Sequence, residues 1–312
     1  MAKIVIALGG NALQTGNAFT ADDQKKVARR TAKQIVGLVL LGHELAITHG
    51  NGPQVGDIML GEEASASPTN AIMPLETNVA MSQGQIGYWL QQAIDNELRA
   101  QGIKKDVATV VTQVVVLKND PAFKKPSKPV GEFYTEAKAK KLAQTRGWTV
   151  QEDAGRGWRR VVPSPRPVKI VEDSVLTTLI TQGIMPIAVG GGGVPVFEKG
   201  SDLVGIDAVI DKDFAATRLA EAVGASILML LTDVDHAVIN FKKADETPIT
   251  RATIAEMETY VGQNQFAPGS MLPKVQAAID FVKNNKQNLA IITSLDKAVE
   301  SLSGKVGTVI TA

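Results

Sequence analysis

The stretch Met185-Pro186-Ile187-Ala188-Val189-Gly190-Gly191-Gly192-Gly193 decides the fold. Its apolar half reads as a buried strand, Met185–Val189. The four glycines directly behind it read as a turn whose backbone can approach a ligand. The same order occurs twice nearer the N-terminus. Ile4–Leu8 runs into Gly9-Gly10-Asn11 and a loop to Asn17, and Glu44–Thr48 runs into His49-Gly50-Asn51-Gly52. Between and beyond these strands lie stretches with helical apolar spacing, at 21–41 (through Val27, Ile35, Leu38 and Val39), Val79–Leu98, 213–223 and 271–284. Val107–Val116 reads as one strand rich in β-branched residues, and Ile227–Leu231 and Leu289–Thr293 read as two more. This alternation predicts an α/β fold with a largely parallel sheet covered on both faces.

The rhythm breaks between about 118 and 167, a proline-rich stretch of mixed charge that carries Trp148 and Trp158. Trp148–Val150 and Trp158–Val162 read as a hairpin around 152–157. The segment is expected to leave the main sheet as a lid or a surface insertion. The full chain has 312 residues, enough for one large α/β domain or two lobes. Its 33 basic and 32 acidic residues argue against a nucleic-acid-coating protein. The absence of cysteine excludes disulfides and thiolate metal sites, and fits a reducing compartment. The histidines His43, His49 and His236 are scattered, so no polyhistidine metal centre is expected. No apolar run reaches the roughly 18 residues of a membrane span. The opening one is too short for a signal-peptide core. A soluble cytoplasmic chain with no membrane or nucleic-acid partner is expected.

Glycine after a strand lets backbone N–H groups approach an anion, and parallel sheets bind ligands at the carboxyl ends of their strands. Neither Gly-x-Gly-x-x-Gly after the first strand nor Gly-x-x-x-x-Gly-Lys-Ser/Thr is present, which disfavours a dinucleotide fold and a P-loop. Three lysines stand in constrained contexts: Lys128 between prolines in Pro126-Ser127-Lys128-Pro129, Lys212 between Asp211 and Asp213, and Lys274 after Gly269-Ser270-Met271-Leu272-Pro273. Each lysine alone reads more readily as a solvated charge, and Asp211 and Asp213 could be helix N-caps; the combination points to phosphate. Thr232-Asp233-Val234-Asp235 reads either as a carboxylate pair for ribose hydroxyls or a metal's water shell, or as a tight turn. His49 reads as structural. Arg156, Arg159 and Arg160 read as an anion contact or a solvated strand face.

Taken together, these motifs resemble the carbamate kinase family of the amino-acid kinase superfamily over essentially the whole chain. The resemblance rests on the opening strand with Gly9-Gly10-Asn11, on Thr232-Asp233-Val234-Asp235 and on Gly269–Lys274. It rests further on 49–56 (HGNGPQVG), 83–90 (QGQIGYWL), 152–159 (EDAGRGWR) and 208–213 (AVIDKD). It implies an open αβα sandwich with a mostly parallel central sheet, a protruding subdomain at about 118–167, an acceptor lobe over 1–200 and a nucleotide lobe over 201–312. It also implies a cytoplasmic homodimer that moves phosphoryl reversibly between ATP and carbamate, giving ADP and carbamoyl phosphate. Mg2+ would be bound with the nucleotide rather than held by protein ligands, and ATP would be made during arginine or agmatine breakdown.

By the same resemblance, Lys128, Lys212 and Lys274 contact phosphate, and Asp213 orients the last two. Gly9, Gly10, Asn11, Gly50, Asn51, Gly52, Gly191, Gly192 and Gly193 line the acceptor and the transferred group. Asp211, Thr232, Asp233, Asp235, His236, Gly269, Met271 and Pro273 border the nucleotide. His236 stands where many members have tyrosine, which puts a ring contact to the nucleotide in doubt. Two rival readings are an amino-acid kinase for a side-chain or N-acetylated carboxylate, and a nucleotide-binding regulatory module without catalysis.

Overall fold

The computed structural model describes residues 1–9, 20–153 and 155–312; Gly10 and Asn11 lie outside the described residues. Eight strands form the central sheet, in the order Arg251–Thr253, Thr308–Thr311, Leu289–Ser294, Ile227–Thr232, Lys3–Leu8, Glu44–His49, Met185–Ile187 and Val107–Thr109. The last six in that order run parallel to one another. Thr308–Thr311 is antiparallel to Leu289–Ser294, and Arg251–Thr253 is parallel to Thr308–Thr311.

Side chains alternate across this sheet, so each strand feeds two cores. Val5, Ala7, Leu228 and Leu230 face one side, where the helices Lys212–Ala222 and Met271–Asn284 add Leu219, Val275 and Phe281. Ile4, Ile6, Leu8, Ile47 and Met229 face the other, under the helices Ala21–Leu40 and Leu75–Ala100, which add Ile35, Leu38, Ile86, Leu90 and Ile94. The result is the αβα sandwich the alternation predicts. The first helix starts where its sequence dictates: the Thr20 hydroxyl accepts from Asp23 N–H, and Asp22 and Asp23 complement the helix dipole. No described helix is long and apolar enough to cross a membrane.

Several ends shift by one to four residues, and two strand boundaries near the four glycines differ in a way that shapes the site. Val107–Val116 is not one strand: Val107–Thr109 closes the edge of the central sheet, and Gln113–Val116 belongs to a four-stranded sheet with Pro167–Ile170, Val194–Lys199 and Asp202–Gly205. The break lies at Thr112, whose hydroxyl donates to the Val110 carbonyl and whose N–H donates to the Gln83 side chain. Both bonds turn the chain out of the ladder. The strand before the four glycines ends at Ile187, because Val189 takes a left-handed φ of 57°.

The 118–167 excursion builds a three-stranded sheet, Lys128–Tyr134, Trp158–Val162 and Thr149–Glu152, with the helix Glu136–Arg146 against it. The expected hairpin is present, with Val150 opposite Arg160 and Glu152 opposite Trp158. Arg146 and Arg160 both stack on the Trp148 ring. Arg146 pairs with Glu63 at 2.7 Å and Arg160 with Asp207 at 2.6 Å, which ties the excursion to the body.

Candidate active site

Because the inner strands are parallel and in register, their carboxyl ends share one rim. Leu8 is level with His49, Ala7 with Leu230, and Thr232 with Ser294. The turns at Gly9, Gly50, Gly190 and Asp233 therefore leave the sheet along the same edge. The first turn lies tight against its neighbour: a Cβ at Gly9 would stand 2.7 Å from the Leu231 carbonyl oxygen.

On this rim the three lysines converge. Asp211 caps the helix that begins at Lys212, one carboxylate oxygen accepting from Asp213 N–H at 3.0 Å, so the N-cap reading holds for it. Its other oxygen meets Lys128 Nζ at 2.8 Å, reaching in from the small sheet. Asp213 caps nothing. Its Oδ1 accepts from Lys212 Nζ at 2.6 Å and its Oδ2 from Lys274 Nζ at 3.0 Å. Lys274 arrives from the first turn of its own helix, whose N-cap Ser270 makes no side-chain cap bond.

The cluster sets three ammonium groups against two carboxylates, mostly out of water. The Asp213 side chain is 4 % exposed, Lys274 11 % and Lys212 14 %. Burial pushes the Lys212 ammonium below the ordinary lysine value, Lys274 pushes it the same way, and Asp213 opposes both. Burial alone would raise the Asp213 carboxyl, but Lys212 and Lys274 outweigh it and hold it at about 2. A desolvated excess of positive charge suits a polyanion such as phosphate.

The glycine turn closes onto this cluster. Gly191, Gly192 and Gly193 all have positive φ, at 66°, 95° and 88°. A Cβ at Gly191 would lie 2.2 Å from Asn51 Nδ2, and one at Gly192 would lie 2.2 Å from the Ile210 carbonyl, one residue before Asp211. A Cβ at Gly50 would lie 3.5 Å from the Lys212 Cδ, an ordinary contact with the lysine stem. No described residue accepts from the N–H groups of Gly190 or Gly191, although both residues are buried. Buried donors without a protein acceptor are uncommon and are poised for a ligand.

His49 supports the turn from below. It is buried, its Nδ1–H donates to the Gly50 carbonyl at 2.8 Å, and burial, with the Lys212 charge, holds its pKa at about 4. It is therefore a neutral structural imidazole, as the sequence reading expects. Asn51 is also buried and donates to Ser82 Oγ at 2.9 Å. Gly52 opens the helix Gly52–Ser65 with free space around it, so packing does not demand glycine there.

The residues expected around the nucleotide are dispersed. Asp235 accepts from Ser294 Oγ, while Asp233 is exposed and bonds to no described residue, so the two carboxylates do not act as a joined pair. His236 Nε2 accepts from Gly307 N–H at 3.2 Å. Gly269, with φ 76°, Met271 and Pro273 form the approach to Lys274. The hairpin arginines are engaged elsewhere: Arg156 and Arg159 with Asp153, Arg160 with Asp207. Sequence reasoning missed the buried polar residues Ser82, Gln83 and Thr112 behind the turn. For Ser82 and Gln83 the signal was polarity inside the helical stripe Val79–Ile86–Leu90, where an apolar residue would be expected; Thr112, in a run of β-branched residues, gave none.

Residues 2–293 match the amino acid kinase family, a span that holds the turns at Gly9, Gly50, Gly190 and Asp233 and the lysines Lys128, Lys212 and Lys274. The chain belongs to the amino acid kinase family. Among its relatives are carbamate kinases. One from Thermococcus kodakarensis is 54 % identical over 314 residues, covering 99 % of this chain and 98 % of the relative. Carbamate kinase 1 of Enterococcus faecium is 52 % identical, covering 99 % of both. A solved carbamate kinase from Giardia lamblia bound to AMP-PNP superposes with a TM-score of 0.93 at 45 % identity, covering 99 % of this chain and 98 % of that one. Identity of this level over the full length places the chain with the carbamate kinases of the amino acid kinase family, as a phosphotransferase.

Proposed function

We propose that this kinase transfers a phosphoryl group reversibly between a Mg2+-bound adenine nucleotide and carbamate, working chiefly to make ATP from ADP and carbamoyl phosphate. The observation that carries the reading is the Asp213 fork, which aims two ammonium groups at one place. Phosphoryl transfer asks the protein for alignment and for cancellation of charge on the oxygens in flight, not for covalent chemistry. Lys212 and Lys274 meet the equatorial and bridging oxygens, with Asp213 holding both. Lys128 exchanges Asp211 for a phosphate oxygen, and the Gly190 and Gly191 N–H groups complete the cradle. Preorganised donors of this kind contribute about 3–4 kcal/mol each.

Carbamate already carries an anionic oxygen, so no general base is needed; His49, its pKa held at about 4 and its Nδ1–H committed to Gly50, is a weak one. A small acceptor also fits the walls. Asn51, His49 and the Ile210 carbonyl crowd the glycine turn. The hairpin arginines are paired with aspartates, which leaves them unavailable for the second carboxylate of a glutamate-like acceptor. The nucleotide would lie over 201–312, bordered by Asp211, Thr232, Asp233, Asp235, His236, Gly269, Met271 and Pro273, and the acceptor over 1–200, with Gly9, Gly50, Asn51, Gly52 and Gly191–Gly193. The AMP-PNP on the Giardia relative supports an adenine nucleotide. Mg2+ enters as part of that substrate, and the enzyme works as a homodimer.

The test is ATP formation from ADP and carbamoyl phosphate. In the other direction, carbamate, N-acetylglutamate and glutamate are offered with ATP. Turnover with the carbamoyl pair alone is expected. Turnover with an N-acetylated or side-chain carboxylate instead, or nucleotide binding without turnover of any acceptor, would overturn it.

A further inference from the structure

The polar group behind the glycine turn takes no part in the chemistry above. We propose that Gln83 is the positioning residue that fixes the direction of the Gly191 N–H, a role that rests on the phosphotransfer reading. Gln83 is 1 % exposed, in the first half of the helix Leu75–Ala100. A buried carboxamide is costly unless its polar atoms are paired, and here backbone alone pairs them. Oε1 accepts from Thr112 N–H at 2.8 Å, and Nε2 donates to the Gly190 carbonyl at 2.9 Å and the Thr112 carbonyl at 3.2 Å. Thr112 in turn holds both ends of the turn. Its hydroxyl accepts from Val189 N–H at 3.1 Å and its carbonyl accepts from Val194 N–H at 2.9 Å.

The consequence follows from peptide planarity. The Gly190 carbonyl and the Gly191 N–H belong to one trans peptide unit, so they point in opposite directions. Gln83 draws the carbonyl back toward the helix and so sends the Gly191 N–H away from it, where no described residue accepts. Two glycines flank this unit, and glycine places little steric barrier against a peptide flip. Gly193 N–H, inside the turn, also donates to the Gly190 carbonyl at 3.1 Å; the Gln83 bond is the one that ties this orientation to the helix. His49 restricts the same residue from another side, since a Cβ at Gly190 would meet its Nε2 at 2.5 Å.

Two isosteric variants test this in the full-length protein. Gln83→Met removes the donor and should lower kcat by about 10- to 100-fold, less than outright loss of a catalytic donor, with the KM for ADP within about threefold. Gln83→Glu keeps an acceptor for Thr112 N–H but sets a carboxylate oxygen against the Gly190 carbonyl. Its activity relative to wild type should rise as pH falls and the carboxyl protonates to donate again. A residue that served folding alone would not produce that profile, and this variant carries the test if Gln83→Met does not fold. Independently of turnover, the 15N-glycine NMR signal of Gly191 should shift on adding inorganic phosphate to wild type and not to Gln83→Met. Equal shifts in both, or folded variants with wild-type kcat and pH profile, would overturn the proposal. Wild-type protein that ignores carbamoyl phosphate yet shows the differential Gly191 shift would refute the choice of substrate and leave the role of Gln83 standing.

Discussion

Replacing Lys212 by methionine should separate turnover from stability. The ammonium is buried, and burial, joined by the Lys274 charge, depresses its pKa although Asp213 resists. A depressed lysine pKa means the fold holds the charged form less readily than water does, so deleting the charge removes a cost. In Lys212→Met, Asp213 keeps Lys274 as its partner at 3.0 Å, and the methionine side chain fills the place of the lysine stem. The unfolding midpoint in urea should stay level or rise. The pH dependence has a definite sign. Between the lowered folded pKa and the unfolded value of about 10.4, the unfolded chain binds more protons, so wild-type stability climbs with pH there. The variant should lack that slope. Turnover loses one cationic donor to the migrating group, about 3–4 kcal/mol or a hundredfold to a thousandfold in kcat. A coupled assay of ATP formation and urea melts on the same preparation read both quantities. A folded variant with near-normal rate, or one that loses several kcal/mol of stability, would refute the reasoning.

The other arm of the fork should behave in the opposite way. Asp213→Asn leaves Lys212 and Lys274 side by side without their carboxylate, and should cost about 3–5 kcal/mol in urea melts, partly regained with inorganic phosphate; an unchanged midpoint would contradict the pairing. For His49, the folded pKa of about 4 lies below the unfolded value near 6.5, so wild-type stability is full above about 6.5 and falls as pH drops towards 4, by up to about 3 kcal/mol. His49→Asn keeps a donor for the Gly50 carbonyl and should flatten melts taken across that window. Gly192→Ala forces a Cβ onto the Ile210 carbonyl at φ 95° and should lose about 1–3 kcal/mol and most turnover, whereas Gly52→Ala, in open space at negative φ, should leave the melting midpoint level or slightly raised.

The central strands were legible because they are buried on both faces and so read as unbroken apolar runs, as in Ile4–Leu8. Gly9 and Gly190–Gly193 were legible because the tight turns there leave no room for a Cβ, whereas Gly50 and Gly52 have that room. The break within Val107–Val116 was not legible, since β-branched residues report strand preference and not where a strand bends; the bend is held by Thr112 bonding to the Val110 carbonyl and to Gln83, 29 residues earlier. The end of the next strand at Ile187 was hidden for the same kind of reason, a left-handed Val189 held by Thr112. Spacing could mark Lys212 and Lys274 as unusual, but Asp213 and Lys274 are 61 positions apart and only tertiary structure brings them together. Their pairing came from the resemblance to known kinases. The Asp233 and Asp235 carboxylates show the opposite case, near in sequence yet sharing no described partner, since Asp235 is bonded to Ser294.

The proposed chemistry lies along one edge of the sheet, which leaves the opposite edge available to the experimenter. Gln287 is exposed, two residues before the amino end of the Leu289–Ser294 strand, and the whole chain has no cysteine. Gln287→Cys would give a single thiol for a fluorophore or a gold surface, anchoring every molecule with its substrate-facing edge turned outward.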